Sequence, residues 1–497
     1  MLRSLILLPI LALTSVSIAQ ASMKSRPAML RFSAEELTLP GNEKMGLLGS
    51  SYLVHLNRYL YTGLGIYSAV TGQRGGFFTG GLESGFKYKL GRELELDAGL
   101  FIGGGGGGGA PQGGGLMVRP QIGVMRKTHI GKFGIQASHT RFPNGNINST
   151  QLSVVYEKPL SLLMASQWTK YRGGNSSYKS QPPEQDFSVL LQTYDLPDGT
   201  LNTSGTVQDA NVSLIGVEWD YYFGKRAFFR LQTLGALGGN SDGYASVLSG
   251  LGYRYALPGN NTVKIAATIG ASGGGRINTG GGFTSDVSIN LQHRFNNGLL
   301  TGIRAGLVNA PDGDFEATSY AAFLGFGDRA PKKPFTHGNI KPRHWRIRAT
   351  HQTYQPTGDT RRKGQTTPDN RDVHLVALQT DIFMNKYLYL TGQAIGAYDG
   401  DAGGYAVGLV GMGITKPLWN NSRLLWTAEA AVGAAGGGGL AVGDGLVGNG
   451  MLGLAYRTSR SRSLHLSVGV TKSKNGTFEA NTINLGFAYR FTTLAWK

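Results

Sequence analysis

Along most of the chain, bulky apolar residues recur at every second position. In Ile483-Asn-Leu-Gly-Phe-Ala-Tyr-Arg-Phe491 the odd positions are Ile483, Leu485, Phe487, Tyr489 and Phe491. The even positions are Asn484, Gly486, Ala488 and Arg490. Leu94, Leu96, Ala98, Leu100 and Ile102 alternate in the same way with Glu93, Glu95 and Asp97. A helix cannot keep either set on one side; a strand puts them on opposite faces. NG, DG, GG and PG signals divide the chain into strands. In the first third these start near Leu30, Leu47, Tyr61, Phe77, Glu93, Leu116, Lys132 and Ile147. Each is about ten residues long, enough to cross a bilayer when tilted. Tyr59 to Tyr61 and Trp219 to Phe223 fall at strand ends, where interfacial aromatic girdles lie.

Landmarks recur at a period near 160. Turns carry Pro40-Gly41, Pro197-Asp-Gly199 and Pro356-Thr-Gly358, so the prolines lie 157 and 159 residues apart. Asn57-Arg-Tyr-Leu-Tyr61 matches Asn385-Lys-Tyr-Leu-Tyr389. Hairpins at Pro143-Asn-Gly145, Pro311-Asp-Gly313 and Lys474-Asn-Gly476 place their glycines 168 and 163 apart. Solenoid and propeller repeats are far shorter, about 20–50 residues. The expected organisation is a signal peptide at 1–21, β-repeats at 22–160, 187–327 and 346–497, a linker at 161–186 and a basic linker at 328–345. The basic linker carries Arg329, Lys332, Lys333, Lys341 and Arg343 against Asp328.

The expected fold is all-β: an antiparallel transmembrane β-barrel of three tandem repeats, about eight strands each and about twenty-four in all. An even number of strands lets each repeat close by itself, or all can join in one wall. Adding hairpins enlarges one barrel, so the expectation is a single large barrel in which the strand Met29–Pro40 pairs with Asn481–Phe491.

Composition narrows the function classes. The 497 residues include no cysteine, which excludes disulfides and Cys-ligated metal sites. With 40% hydrophobic and 10% aromatic residues, disorder is not expected. A mean hydropathy of -0.15 suits a membrane barrel, half of whose residues face inward. At the N-terminus, Arg3, the apolar run Leu5 to Ala12 and the small-x-small signal Ala19-Gln20-Ala21 predict export with cleavage after Ala21. Glycine numbers 77, with runs at Gly103–Gly109, Gly280–Gly282 and Gly436–Gly439, each after the fifth strand of its repeat. No GK[ST] and no helix pattern follows, so these runs read as close-packed hairpins rather than phosphate cradles.

An exported, helix-poor, glycine- and aromatic-rich chain with membrane-length strands resembles the outer-membrane β-barrel proteins of bacteria as a general class. That class usually ends on an aromatic residue, whereas here Thr492 to Lys497 follow Phe491 and Trp496 is penultimate. The resemblance implies location in the cell outer membrane, with membrane lipid, lipopolysaccharide and the barrel-insertion machinery as partners and no nucleic acid. The hairpin Ser138-His-Thr-Arg-Phe-Pro-Asn-Gly145 is similar to the last hairpin of the lipid A deacylases. Arg141 stands where their serine nucleophile would be. Ser138 and His139, adjacent on a strand, point to opposite faces. No metal or triad spacing appears, and no enzyme, metal or cofactor is expected.

The net charge is +18. Arg119, Lys264, Arg304 and Arg490 alternate with apolar neighbours, so they are candidate lumen cations, since charge on the lipid face is costly. A lumen lined by them would draw anions; alternatively they pair with acids such as Glu93, Glu95 and Asp97. Two functions compete. The first is a channel or exporter for a solute or polymer, anionic if these cations line the lumen; the second is a structural or interaction protein anchoring a surface assembly. A lipid A acyl hydrolase-like barrel is a third.

Overall fold

The computed structural model describes residues 23–168, 182–208, 211–329, 340–420 and 422–496. The expected signal peptide, and much of both expected linkers, lie outside the described residues. Twenty-four strands lie among the described residues, in chain order. They begin with β1 (Lys24–Thr38), β2 (Lys44–His55), β3 (Leu60–Thr71), β4 (Phe78–Lys89), β5 (Leu94–Gly106), β6 (Met117–Lys127), β7 (Lys132–Arg141) and β8 (Asn148–Ala165). Then come β9 (Glu184–Asp195), β10 (Val212–Tyr222), β11 (Ala227–Gly238), β12 (Ala245–Ala256), β13 (Asn261–Gly273), β14 (Phe283–Arg294), β15 (Leu299–Ala310) and β16 (Phe315–Asp328). The last are β17 (Ile340–Pro356), β18 (Val373–Phe383), β19 (Leu388–Asp399), β20 (Ala406–Pro417), β21 (Leu424–Gly436), β22 (Leu446–Arg457), β23 (Arg462–Ser473) and β24 (Glu479–Trp496). Every pairing between them is antiparallel.

The single large barrel is not what forms. β1 pairs with β8, from Lys24 opposite Met164 to Glu35 opposite Ser153. β9 pairs with β16, and β17 with β24 from Ile340 opposite Trp496 to Pro356 opposite Ala480. Each run of eight strands thus closes on itself. The first and third rings are joined into one sixteen-stranded network by two short steps, Thr492 opposite Ala165 and Thr493 opposite Met164. Met29, expected opposite β24, faces Pro159 instead. The interior supplies the reason. Arg31 on β1 reaches Glu83 on β4, Asp97 on β5 and Glu157 on β8, each at 2.6 Å. One side chain spans the ring only where it is about eight strands round, the size that side chains fill.

Period-two alternation becomes burial. On β24, Ala488 and Arg490 are buried, while Ile483 and Leu485 are exposed. Leu152, Ile135, Leu307 and Leu452 are each more than 60% exposed, an outer apolar surface suited to lipid rather than water. Exposed Tyr59, Tyr88, Phe223, Tyr255, Trp419 and Tyr456 gather at the end of the short turns. That end carries an aromatic rim, as at a membrane interface. The Asn57 and Asn385 landmarks are turns of the same end. Each asparagine Oδ1 accepts hydrogen bonds from the backbone N–H groups of the last turn residue and the first residue of the next strand, at 2.8–2.9 Å.

The residues after Phe491 have a packing role. β24 runs on to Trp496, which is buried with Met23, Ala165, Ile340 and Leu494. Its indole Nε1 donates to the Pro182 carbonyl at 2.9 Å. The penultimate tryptophan therefore sits where the first and third rings meet.

Candidate functional site

Each barrel carries an apolar cluster and a layer of charged side chains in its interior. Near the loop end an apolar plug closes it: Phe77 and Phe142 in the first, Tyr194, Tyr244 and Phe315 in the second, Tyr354, Tyr405 and Phe478 in the third. All eight side chains are buried. Below each plug lies a charged layer. In the first barrel, Arg119 donates to Glu35 at 2.6 and 2.8 Å, and Ser138 and Ser153 donate to the same carboxylate. In the second, Lys264 bonds Asp186 and Asp220 at 2.9 Å, Arg304 pairs with Glu218 and Asp286, and Arg230 with Glu218 and Asp220. In the third, Arg346 and Arg348 share Asp381, and Arg348 also meets Glu429 at 2.5 Å. Burying a charge is costly unless it is paired and hydrogen-bonded.

All four candidate lumen cations point into a barrel, and each is at most 4% exposed. They do not come together: Arg119 lies in the first barrel, Lys264 and Arg304 in the second, Arg490 in the third. Three of them neutralise interior acids. Of the acids proposed as their partners, Asp97 belongs to the Arg31 network. Glu95 pairs with Lys132, and Glu93 is exposed at a turn beside Arg126. Sequence reasoning passed over Arg31, Arg230, Arg346 and Arg348. The signal was present in Arg346-Ile-Arg348, just beyond the basic linker, where the same alternation holds.

Ser138 and His139 take opposite faces of β7. The serine donates inward to Glu35 at 2.7 Å, and the imidazole meets the Thr150 hydroxyl on the outer face at 2.8 Å. The pair does not form a nucleophile and base, which need mutual hydrogen-bond reach.

The glycine runs lie between barrels. β5 of the first barrel packs on β19 of the third, β21 of the third on β11 of the second, and β13 of the second on β3 of the first. The fifth strand of each barrel meets the third strand of the next, so three head-to-tail contacts close a ring. Backbone meets backbone here. Gly75 N–H donates to the Gly280 carbonyl at 3.0 Å, and Gly404 N–H to Gly105 at 3.3 Å. A Cβ on Gly104 would lie 2.8 Å from the Gly396 carbonyl and 3.0 Å from Val376. Only glycine admits that approach.

The long connection 357–372 closes the third barrel's loop end. Hydrogen bonds from Arg371 hold the Asp369 carboxyl well below the usual carboxylate range, with Arg362 adding to them. Lys363 crosses to Asp242 of the second barrel.

No family model matches the chain, and no curated protein matches it. Among solved structures it is similar to a variant ferric enterobactin receptor of Pseudomonas aeruginosa in complex with enterobactin. That likeness has 11% identity over 95% of this chain and 82% of that one, with a TM-score of 0.28. It is also similar to the siderophore receptor PirA of Acinetobacter baumannii (8%, 95% and 81%, 0.29) and to OccK1 of Pseudomonas aeruginosa (10%, 94% and 98%, 0.24). Superpositions this loose carry no argument about ligand or activity. The fold, antiparallel β-barrels with an apolar outer wall, stands on this chain's own closed pairings and exposed apolar side chains.

Proposed function

We propose that the protein is exported to the outer membrane. There its three sealed barrels form one membrane-embedded body that acts as a structural or interaction platform, presenting its loop face to partners. The observation that carries this reading is made on the described residues: each barrel has a buried apolar plug at its loop end above a layer of mostly paired charges. Two surfaces would do the work: the apolar outer wall holds lipid, and the interlocked glycine seam holds the three barrels together near their loop ends.

Transport is the second reading, favoured by one feature. β4, β12 and β20 each lie between the two strands that touch neighbouring barrels, so their loop ends face the centre of the ring. A Cβ added to Gly80 on β4 or Gly408 on β20 would meet nothing within 4 Å. A solute would then pass between barrels, not through one. Purified protein in a planar bilayer separates the readings. The platform predicts electrical silence. A steady conductance that falls in Gly80→Trp or Gly408→Trp would replace it with transport along the centre.

A further inference from the structure

Charge is balanced differently in the third barrel. Its interior layer holds three guanidinium groups, Arg346, Arg348 and Arg490, against two carboxylates, Asp381 and Glu429. Asp381 is taken by Arg346 at 2.6 Å and by Arg348 at 2.9 and 3.0 Å. Glu429 is taken by Arg348 and by the Tyr389 hydroxyl, and stands 3.9 Å from Arg346. Arg490 makes no ion pair, and among the described residues it is the one buried barrel-interior arginine or lysine without one. It is 4% exposed.

Arg490 and Arg346 are directly opposite each other on β24 and β17. Like charges so placed repel, and in a poorly hydrated interior they do so strongly. Their donors are idle: Nε and Nη2 of Arg490, and Nη1 and Nη2 of Arg346, have no hydrogen-bond partner. The groups facing Arg490 are Arg346, Arg457 and the already engaged Asp381, with His465 packed beside the same guanidiniums. One face of the Arg490 guanidinium is covered by the Trp168 ring at 4.8 Å. That stacking satisfies the flat face and leaves the N–H edge.

Two guanidinium edges with free donors, walled by an aromatic ring, match a planar or tetrahedral oxyanion that can accept several hydrogen bonds. The surroundings favour the same sign. The turns at this end of the third barrel expose Lys386, Arg423 and Arg460 and contain no acidic residue, and Lys416 is exposed at the adjoining end of β20. Arg490 lies close to that mouth, its backbone N–H donating to the Ser461 carbonyl at 2.7 Å. We infer that the third barrel holds a binding site for a phosphate-type oxyanion, built on the idle edges of Arg490 and Arg346. The site rests on that barrel alone and is independent of whether the protein conducts.

The full chain, purified in detergent, tests this with inorganic phosphate by titration calorimetry and thermal melting. A second arm places it in nanodiscs of phosphatidylcholine with and without phosphatidic acid, to distinguish a lipid phosphate from a free one. Phosphate, or phosphatidic acid in the second arm, raises the melting midpoint of the native chain. Arg490→Leu abolishes the rise, and Arg490→Gln weakens binding by roughly tenfold or more, the loss expected for one charge-assisted pair. Arg490→Lys keeps part of it. With no anion added, Arg490→Leu melts no lower than the native chain, because it removes an unpaired buried charge. A native chain that responds in neither arm overturns the inference. So does an Arg490→Gln chain whose response matches the native one, or an Arg490→Leu chain that melts lower without any anion.

Discussion

At the scale of the residue, the side on which a group falls decides its cost. Leu485 is 57% exposed on the outer wall, among Leu466, Val468 and Leu452, while its neighbour Asn484 turns inward. Leu485→Arg places a charge in hydrocarbon and should destabilise by about 2–4 kcal/mol near the bilayer midplane. Asn484→Gln keeps an inward amide and should change stability little. Equilibrium unfolding in lipid vesicles reads both. Equal effects would mean that the outer wall does not meet lipid. Arg31 shows the opposite case, since three carboxylates converge on it. Removing one member of such a buried network typically costs about 3–5 kcal/mol.

At the scale of the element, the glycine-rich strand ends are contact surfaces between bodies. Gly104 does not have a positive φ, so a side chain there would be excluded by the neighbouring barrel and not by its own backbone. Gly104→Leu should therefore part the first and third barrels at their loop ends while leaving both rings closed. Cysteines at Asn144 and Asp399, whose side chains approach to 3.5 Å, report the seam. Their crosslinking should fall several-fold in Gly104→Leu and stay unchanged in Gly80→Leu, where the space is open. Loss in both variants, or in neither, would show that the seam does not depend on glycine.

At the scale of the whole molecule, the number of rings is a matter of which edge meets which. Cysteines at Leu30 and Lys158, opposite each other on β1 and β8, should crosslink efficiently in membranes. Cysteines at Leu30 and Leu485 should not, since β24 pairs with β17 and β23. The reverse result would restore one large barrel. Three small rings also explain the additions that a single ring would not need. The tail to Trp496 packs against the start of β1 and the end of β8, and Trp168 reaches from the end of β8 to the mouth of the third barrel.

The strand pattern was legible because it is local. Alternation assigns a face to each residue from its two neighbours, so Ile483 to Phe491, the strand starts of the first third and the inward direction of Arg119, Lys264, Arg304 and Arg490 could be read directly. Closure was not legible. The free edge of β1 offers the same backbone donors and acceptors to β8 as to β24, and backbone groups carry no sequence label. What chose β8 was the reach of Arg31 across a narrow ring to Glu83, Asp97 and Glu157, contacts 52, 66 and 126 residues away along the chain. The same holds for charge: alternation could place Arg490 inside, but only the assembled third barrel shows that its neighbours had already used both carboxylates.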